Sequence, residues 1–382
     1  MPWNEVSAVD LRREFVSLAG NEGVNIRQLC QRFGISAKTG YKWLERFAQG
    51  GAESLADRSR RPHVSPHRTD TGLEQAVVAL RGKHPAWGGR KLARRLLDLG
   101  MAEVPSPSTV TEILRRHECL GAPGGEGTQR RYHRFEHEAP NQLWQIDFKS
   151  PVKTPRGTCH PLTVLDDHSR YNIILHACKK PGMKEVQPAL IEAFRRYGLP
   201  IRINGDNGSP WGSPREHTHG LSKLSVWLIR LGIRMSHSRP YHPQTNGKDE
   251  RFHRSLDREV LDVKGFADHL HLQTELDQWR RCYNHERPHE ALALAVPATR
   301  YRPSPRAYPE KLPAIEYAPG DTVVRVMWNG EYRAFGRRGK VSNALTGLDI
   351  ALRPASQNTE GVYDLFFCHQ RFGKLDLRKS EK

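Results

Sequence analysis

In LWQIDFKS, residues 143–150, a carboxylate stands inside an apolar run. Trp144, Ile146 and Phe148 around Asp147 mark a strand lying next to a core. Burying an unpaired carboxylate is costly, so such an acid needs a cation or a partner. The surrounding pattern limits the fold further. From about Asn141, apolar strand-like runs alternate with amphipathic helical ones, which predicts one mixed α/β layer structure. The strands are LWQIDFKS, HPLTVLDDHSRY, NIILHACK, IRINGD and IRMSHS. The helices are KEVQPALIEAFRRYG, which ends at Gly198, LSKLSVWLIRLG, and a long one from about Asn246 to Leu261.

Charge narrows the partners. The 382 residues hold 60 Lys and Arg against 42 Asp and Glu, a formal net charge of +18. An excess of this size favours a polyanion, either nucleic acid or an anionic membrane surface. No apolar run approaches the roughly 20 residues of a membrane span. The start, MPWNEVSAVDLRREF, lacks the basic-then-apolar layout of a signal peptide. A soluble, intracellular chain with nucleic acid as its leading partner is therefore expected. The cysteines at 30, 119, 159, 178, 282 and 368 form no CxxC and have no His pair at zinc-finger spacing. They read as reduced, mostly buried thiols, with no structural zinc site expected.

Ahead of the α/β region the pattern is helical. Ile26, Leu29, Cys30 and Phe33 share one helical face, Gly34 and Ile35 form a turn, and Ser36 can cap a second helix. Trp43, Leu44 and Phe47 of that helix are expected to face inward. Helix, short turn and capped helix form a helix-turn-helix pattern, which points Lys38, Thr39 and Lys42 at a DNA major groove. An ordinary helical hairpin with a solvated basic face has the same pattern. The linker ESLADRSRRPHVSPHRTD places Arg58, Arg60, Arg61 and Arg68 where they could follow phosphates, as a merely solvated linker also would. Residues 73–117 repeat the helical pattern, with Leu92, Leu96 and Leu99 as a stripe and Ser108 as a cap, making a second helix-turn-helix candidate. After the Pro-rich RPHEALALAVPATRYRPSPRAYP, the runs TVVRVMW, EYRAF, LDIALR and VYDLFF predict a small β-barrel-like domain. Asn329-Gly330 is a hairpin signal between the first two strands, and Arg337, Arg338 and Lys340 are expected on loops.

Three acids then stand out: Asp147 in a strand, Asp206 just after one, and Glu250 in the first turn of a helix. Carboxylate oxygens suit a hard divalent ion, and Mg²⁺ suits phosphate substrates. Two such ions can activate a water or hydroxyl and stabilise the leaving oxygen of an in-line transfer. Acids repel phosphate unless a metal intervenes, so DNA binding alone does not explain them.

WQIDF, GDNGSP and HPQTNGKDERFHRSL resemble the three signature segments of the DDE transposases and retroviral-type integrases, a group with a ribonuclease H-like fold. VLDDHSRY and YNHERPHEAL match flanking segments of the same group. PWNEVSAVDLRREFV, LCQRFGISAKTGYKWLERF and SLADRSRRPH are similar to transposases of the IS481 family of bacterial insertion sequences. The resemblance runs from residue 1 to about 303 and is weaker beyond.

The resemblance implies that Asp147, Asp206 and Glu250 are the catalytic acids. It implies that they hold two Mg²⁺ ions, for which Mn²⁺ can substitute. Asn246, Lys248 and Arg254 are expected to contact DNA. The implied partner is double-stranded DNA, both transposon ends and target, bound by a homo-oligomer on paired ends in the bacterial cytoplasm near the nucleoid. The expected organisation is a helix-turn-helix domain (1–55), a basic linker (56–72), a second helix-turn-helix-like domain (73–120), a linker (121–138), a ribonuclease H-like integrase core (139–303), and a Pro-rich linker with a β-barrel-like domain (304–382). The implied function is a transposase that binds terminal inverted repeats and catalyses phosphodiester hydrolysis and strand transfer. A non-catalytic DNA-binding regulator derived from a transposase is the alternative, and the intact acids argue against it. A ribonuclease H-type RNA nuclease shares the metal chemistry but leaves the helix-turn-helix segments without a role.

Several positions depart from the family pattern. Gly205 stands where Ser or Thr is usual, and SPWGSPREHTHG lengthens the stretch between Asp206 and Glu250. Asp257 stands where a basic residue is frequent, with Arg254 and Arg258 nearby as substitutes. Trp211 in the inserted loop could stack on an unpaired base or pack the loop. His242 and His253 could contact DNA or be solvated. Asp166 and Asp167 read as caps of the turn before Ser169 and Arg170. At 100° per residue, Asp249 lies nearer than Glu250 to the Phe252–Leu256–Val260 stripe. Asp249 at N3 of a helix capped by Asn246 suits the free amides and the dipole.

Overall fold

The computed structural model describes residues 7–58, 69–120, 136–212, 220–237, 247–355 and 360–378. The chain divides into two units, Met1–Arg68 and Thr69–Lys382. In the first, α1 (Ala8–Ala19), α2 (Ile26–Arg32) and α3 (Ala37–Gly50) each begin at a polar cap. Ser7, Asn25 and Ser36 offer side-chain oxygens to amides the first turn leaves open. Phe15, Val16, Leu29, Cys30, Trp43 and Leu55 form the core. Gly40 permits this packing, because a Cβ there would lie 2.3 Å from Cys30 Sγ. The turn Gly51–Leu55 closes the core with Leu55, leaving Phe47 exposed rather than inward.

The second unit opens with α4 (Thr71–Lys83), α5 (Gly89–Asp98) and α6 (Pro107–Arg116) around Val77, Trp87, Leu92, Leu96, Val110 and Ile113. Ser106, not Ser108, caps α6, because Pro107 takes the first helical position, where its missing N–H and fixed φ cost nothing. Leu99 falls just past the end of α5 and is exposed.

The central sheet runs β4 (Asn172–Cys178), β3 (Gly157–Asp166), β1 (Trp144–Phe148), β5 (Arg202–Gly205), β6 (Arg234–His237), with β2 (Val152–Thr154) extending β3. The β4, β3 and β1 pairings are antiparallel, and those of β1, β5 and β6 are parallel. Alternation along the strands gives the sheet two apolar faces. Trp144, Ile146, Leu162 and Val164 pack on α7 (Met183–Tyr197) and α8 (Lys223–Arg230). Leu165, Leu175 and Ala177 pack on α9 (Gly247–Leu256) and α10 (His269–His285). This is the ribonuclease H-like α/β layer structure. The helix bearing Glu250 continues through a π-helical turn, Asp257–Leu261.

The C-terminal region contains sheets but, among the described residues, no closed barrel. One sheet runs β12 (Gln370–Asp376), β11 (Val362–Phe367), β10 (Asp349–Pro354), β7 (Thr322–Arg325), and a separate pair joins β8 (Glu331–Ala334) to β9 (Arg337–Lys340). Asn329-Gly330 does make a tight turn, with the Gly330 amide 3.0 Å from the Met327 carbonyl oxygen. The ladder does not continue from it: β7 pairs with β10, and β8 with β9. The β8–β9 turn places Phe335 and Gly336 at positive φ, the conformation a two-residue hairpin turn requires. Arg337, Arg338 and Lys340 consequently lie on a strand rather than a loop.

Candidate active site

Strand register brings the first two acids together. Parallel pairing sets Trp144 opposite Ile203 and Gln145 opposite Asn204, and the same register carried two residues on sets Asp147 opposite Asp206. Both stand at C-terminal ends of adjacent parallel strands, where open α/β sheets place their ligand sites. The Phe148 amide donates to Asp147 Oδ1 at 2.8 Å, and the Thr163 hydroxyl donates to the Asp147 carbonyl at 3.1 Å. Burial pushes the Asp147 carboxyl up to about 6, and the charge of Asp206 adds to the rise against the Phe148 amide and Lys149.

Asp206 is exposed, but its carboxylate is oriented. Oδ1 accepts from the Gly208 amide at 2.8 Å and from the Trp211 indole N–H. Trp211 is buried, stacked on Phe148 with centroids 5.1 Å apart, and lies across the backbone of Gly205. A Cβ at 205 would sit 2.8 Å from Trp211 Cδ1. The glycine that departs from the family pattern therefore makes room for the indole, and Trp211 packs the loop instead of facing outward for base stacking.

On α9, Phe252 and Leu256 anchor the helix to the sheet, followed by Val260. Asp249 is buried with them at 3% exposure, while Glu250 is exposed, as the helical wheel predicts. Asp249 Oδ1 is buried and accepts no hydrogen bond among the described residues. Burial, then the charges of Asp147 and Asp167, raise its pKa well above the carboxylate range. His253 is half-buried and turned to the sheet: its Nε2 lies 3.0 Å from Thr163 Oγ1, and burial lowers its pKa to about 4. Asp257 pairs with Lys149 at 3.2 Å, so a positive charge stands beside this position on β1's side.

The remaining expected DNA contacts separate. Lys38, Lys42, Arg58 and Arg254 are exposed. The Thr39 hydroxyl lies 2.9 Å from Ser36 Oγ and serves the cap. Lys248 is not free for phosphate: its ammonium binds the buried Asp167 carboxylate. Arg60, Arg61, Arg68, His242 and Asn246 lie outside the described residues. Asp166 caps the Ser169 turn, accepting from the Ser169 amide at 2.8 Å and hydroxyl at 2.5 Å. Asp167 instead receives Gln145, His137 and Lys248, contacts that the local sequence does not signal.

Two His-Cys-Glu groups also converge, His84 with Cys282 and Glu286, and His176 with Cys178 and Glu185. Their carboxylates are engaged and their thiols are held protonated. Glu286 pairs with Arg95 at 2.6 Å, Glu185 accepts the Lys179 and Lys180 amides at 2.7 and 3.0 Å, and burial pushes both thiols up to about 12. No helix among the described residues is long and apolar enough to cross a membrane.

Family models match in order along the chain. A helix-turn-helix domain matches residues 11–63 and a homeodomain-like domain residues 39–114. Integrase core domain models match residues 137–243 and 231–297, and the IS481 family transposase C-terminal domain matches residues 321–382. An uncharacterized 31.7 kDa protein of insertion element IS407 from Burkholderia multivorans is 27% identical over 281 residues, 72% of this chain and 91% of that protein. An uncharacterized 39.2 kDa protein of IS476 from Xanthomonas euvesicatoria is 25% identical over 242 residues, 61% of this chain and 65% of that one. A chain in the simian T-cell lymphotropic virus intasome with PP2A regulatory subunit B56 gamma is 16% identical, covering 79% of this chain and 96% of that chain, with a TM-score of 0.39. With helix-turn-helix, integrase core and IS481-type C-terminal segments following one another, the chain belongs to the IS481 family of transposases.

Proposed function

We propose that the chain is a DDE-type polynucleotidyl transferase acting on the ends of an insertion sequence. It binds the terminal inverted repeats, hydrolyses one phosphodiester to free a 3′-OH, and directs that 3′-OH onto target DNA. The observation that carries this reading is the register of β1 against β5, which favours Asp147 and Asp206 as neighbours at the C-terminal strand ends. The first turn of α9 lies close enough for Asp147 to act on Asp249.

The donor set fits a hard divalent cation. Burial, with the charge of Asp206, holds Asp147 above the usual carboxylate range, and the buried Asp249 Oδ1 has no hydrogen-bond partner among the described residues, so oxygens able to take a cation are gathered here. Asp147, Asp206 and Glu250 would hold Mg²⁺ as two ions, with Mn²⁺ able to substitute. Bound there, the ions would supply an activated water or 3′-OH and a stabilised leaving oxygen. The Phe148 amide orients Asp147, and the Gly208 amide and Trp211 indole orient Asp206. Lys38 and Lys42 on α3 and Arg58 after it provide exposed charge for phosphates, and Arg254 does so beside the acids. Two ends must meet for concerted insertion, so the working form is a homo-oligomer on paired ends, acting in the bacterial cytoplasm at the nucleoid.

The test is incubation of the protein with a duplex bearing the element's end, a target duplex and Mg²⁺. Nicking at the end followed by joining to target is expected, both lost with EDTA and in Asp147→Asn. Cleavage surviving in Asp147→Asn, or end binding by wild type with no cleavage, would contradict the reading. The latter is the behaviour of a DNA-binding regulator.

A further inference from the structure

One carboxylate touches both sides of the candidate active site without being among its three acids. Asp167 follows β3 directly and is 1% exposed. Its Oδ1 accepts from Gln145 Nε2 at 2.9 Å and from the Lys248 ammonium, and its Oδ2 accepts from the His137 amide at 3.0 Å. Lys248 Nζ also lies 3.3 Å from the Asp167 carbonyl oxygen. Gln145 precedes Asp147 by two residues on β1, so their side chains share a face. Lys248 precedes Glu250 by two residues in the first turn of α9. The strand bearing Asp147 and the helical turn bearing Glu250 are thus bonded to the same oxygen.

This matters because α9 has no ladder to the sheet. Its apolar anchors begin at Phe252, after the turn that carries Glu250. Apolar contacts resist separation but are non-directional. Charge-assisted hydrogen bonds fix direction as well as distance. We propose that Asp167 is a positioning residue, holding Asp147 through Gln145 and Glu250 through Lys248 at the separation a shared divalent cation requires. The inference rests on the reading of those acids as metal ligands. It also gives Lys248 a task inside the protein in place of a phosphate contact.

The test uses the full chain with Lys248→Met, Lys248→Arg and Asp167→Asn. Mn²⁺ binding without DNA is followed by the free-ion electron paramagnetic resonance signal. End cleavage is titrated with Mg²⁺, and end binding is measured in EDTA across a range of salt. Lys248→Met and Asp167→Asn are expected to weaken Mn²⁺ binding about 10- to 100-fold and to raise the half-maximal Mg²⁺ by a similar factor. End affinity and its salt dependence stay at wild type, and Lys248→Arg recovers most of the Mn²⁺ affinity. Wild-type Mn²⁺ affinity in Lys248→Met overturns the proposal. So does a loss of end affinity in which the salt slope falls by about one, the signature of a phosphate contact. If Lys248→Met melts below the assay temperature, Asp167→Asn decides, since it keeps the side-chain shape and removes the charge. A wild-type protein that binds no Mn²⁺ overturns the metal-ligand reading and this one together, whereas a wild type that binds Mn²⁺ with unaltered variants overturns this one alone.

Discussion

Asp147 and Asp206 stand at the ends of neighbouring parallel strands whose register is set by backbone hydrogen bonds. Glu250 stands on a helix that meets the sheet through side chains: Phe252 and Leu256 against its apolar face, His253 against Thr163, and Lys248 against Asp167. The strand half is therefore fixed by groups every residue carries, and the helix half by particular residues. Substitutions in the helix half should move its acid while leaving the strand pair in place. Substitutions in the strand half must break packing around Asp206 to have a comparable effect.

The largest effect on stability is expected from the helix half. Phe252 is 1% exposed and lies edge-on to Trp279 and Tyr283, with centroids 5.4 and 4.9 Å away. Phe252→Ala should cost about 3–5 kcal/mol in urea unfolding, and cleavage should fall further than the folded fraction does. Cleavage that tracks the folded fraction would mean that the apolar anchor does not position Glu250. A smaller effect belongs to the strand half. Gly205→Ala places a Cβ 2.8 Å from Trp211 and should cost about 1–3 kcal/mol. Trp211→Leu in the same chain should relieve part of that cost, and independent additive effects of the two changes would rule out their contact as the cause.

The sequence made the strand half legible because it is local. WQIDF and IRINGD carry their acids within or just beyond apolar runs, and strand ends are where such acids gather. The wheel of α9 likewise separated buried Asp249 from exposed Glu250. Long-range pairing was not legible. Lys248 reads as a free cation because its partner, Asp167, lies far away in the chain. Gly205 reads as a departure until Trp211 is seen lying on it. Two elements failed for other reasons. The helix His269–His285 buries Leu272, Leu276, Trp279 and Tyr283 at helical spacing, but the intervening His, Gln and Arg dilute the signal. The β8–β9 turn uses Phe335 at positive φ, where glycine or asparagine would announce a turn, so Arg337–Lys340 reads as a loop in the sequence.

Two adjacent acids offer the most direct test of the central claim, that the exposed member of the α9 pair works with Asp147 and Asp206. Mg²⁺-dependent end cleavage should be compared in Glu250→Gln and Asp249→Asn, with thermal melting confirming that both are folded. The account predicts that Glu250→Gln loses about a thousandfold or more. Asp249→Asn, a change of similar shape at a site 3% exposed, should stay within about tenfold of wild type. Cleavage retained in Glu250→Gln and lost in Asp249→Asn would contradict it, and would place the third acid on the buried face of the helix.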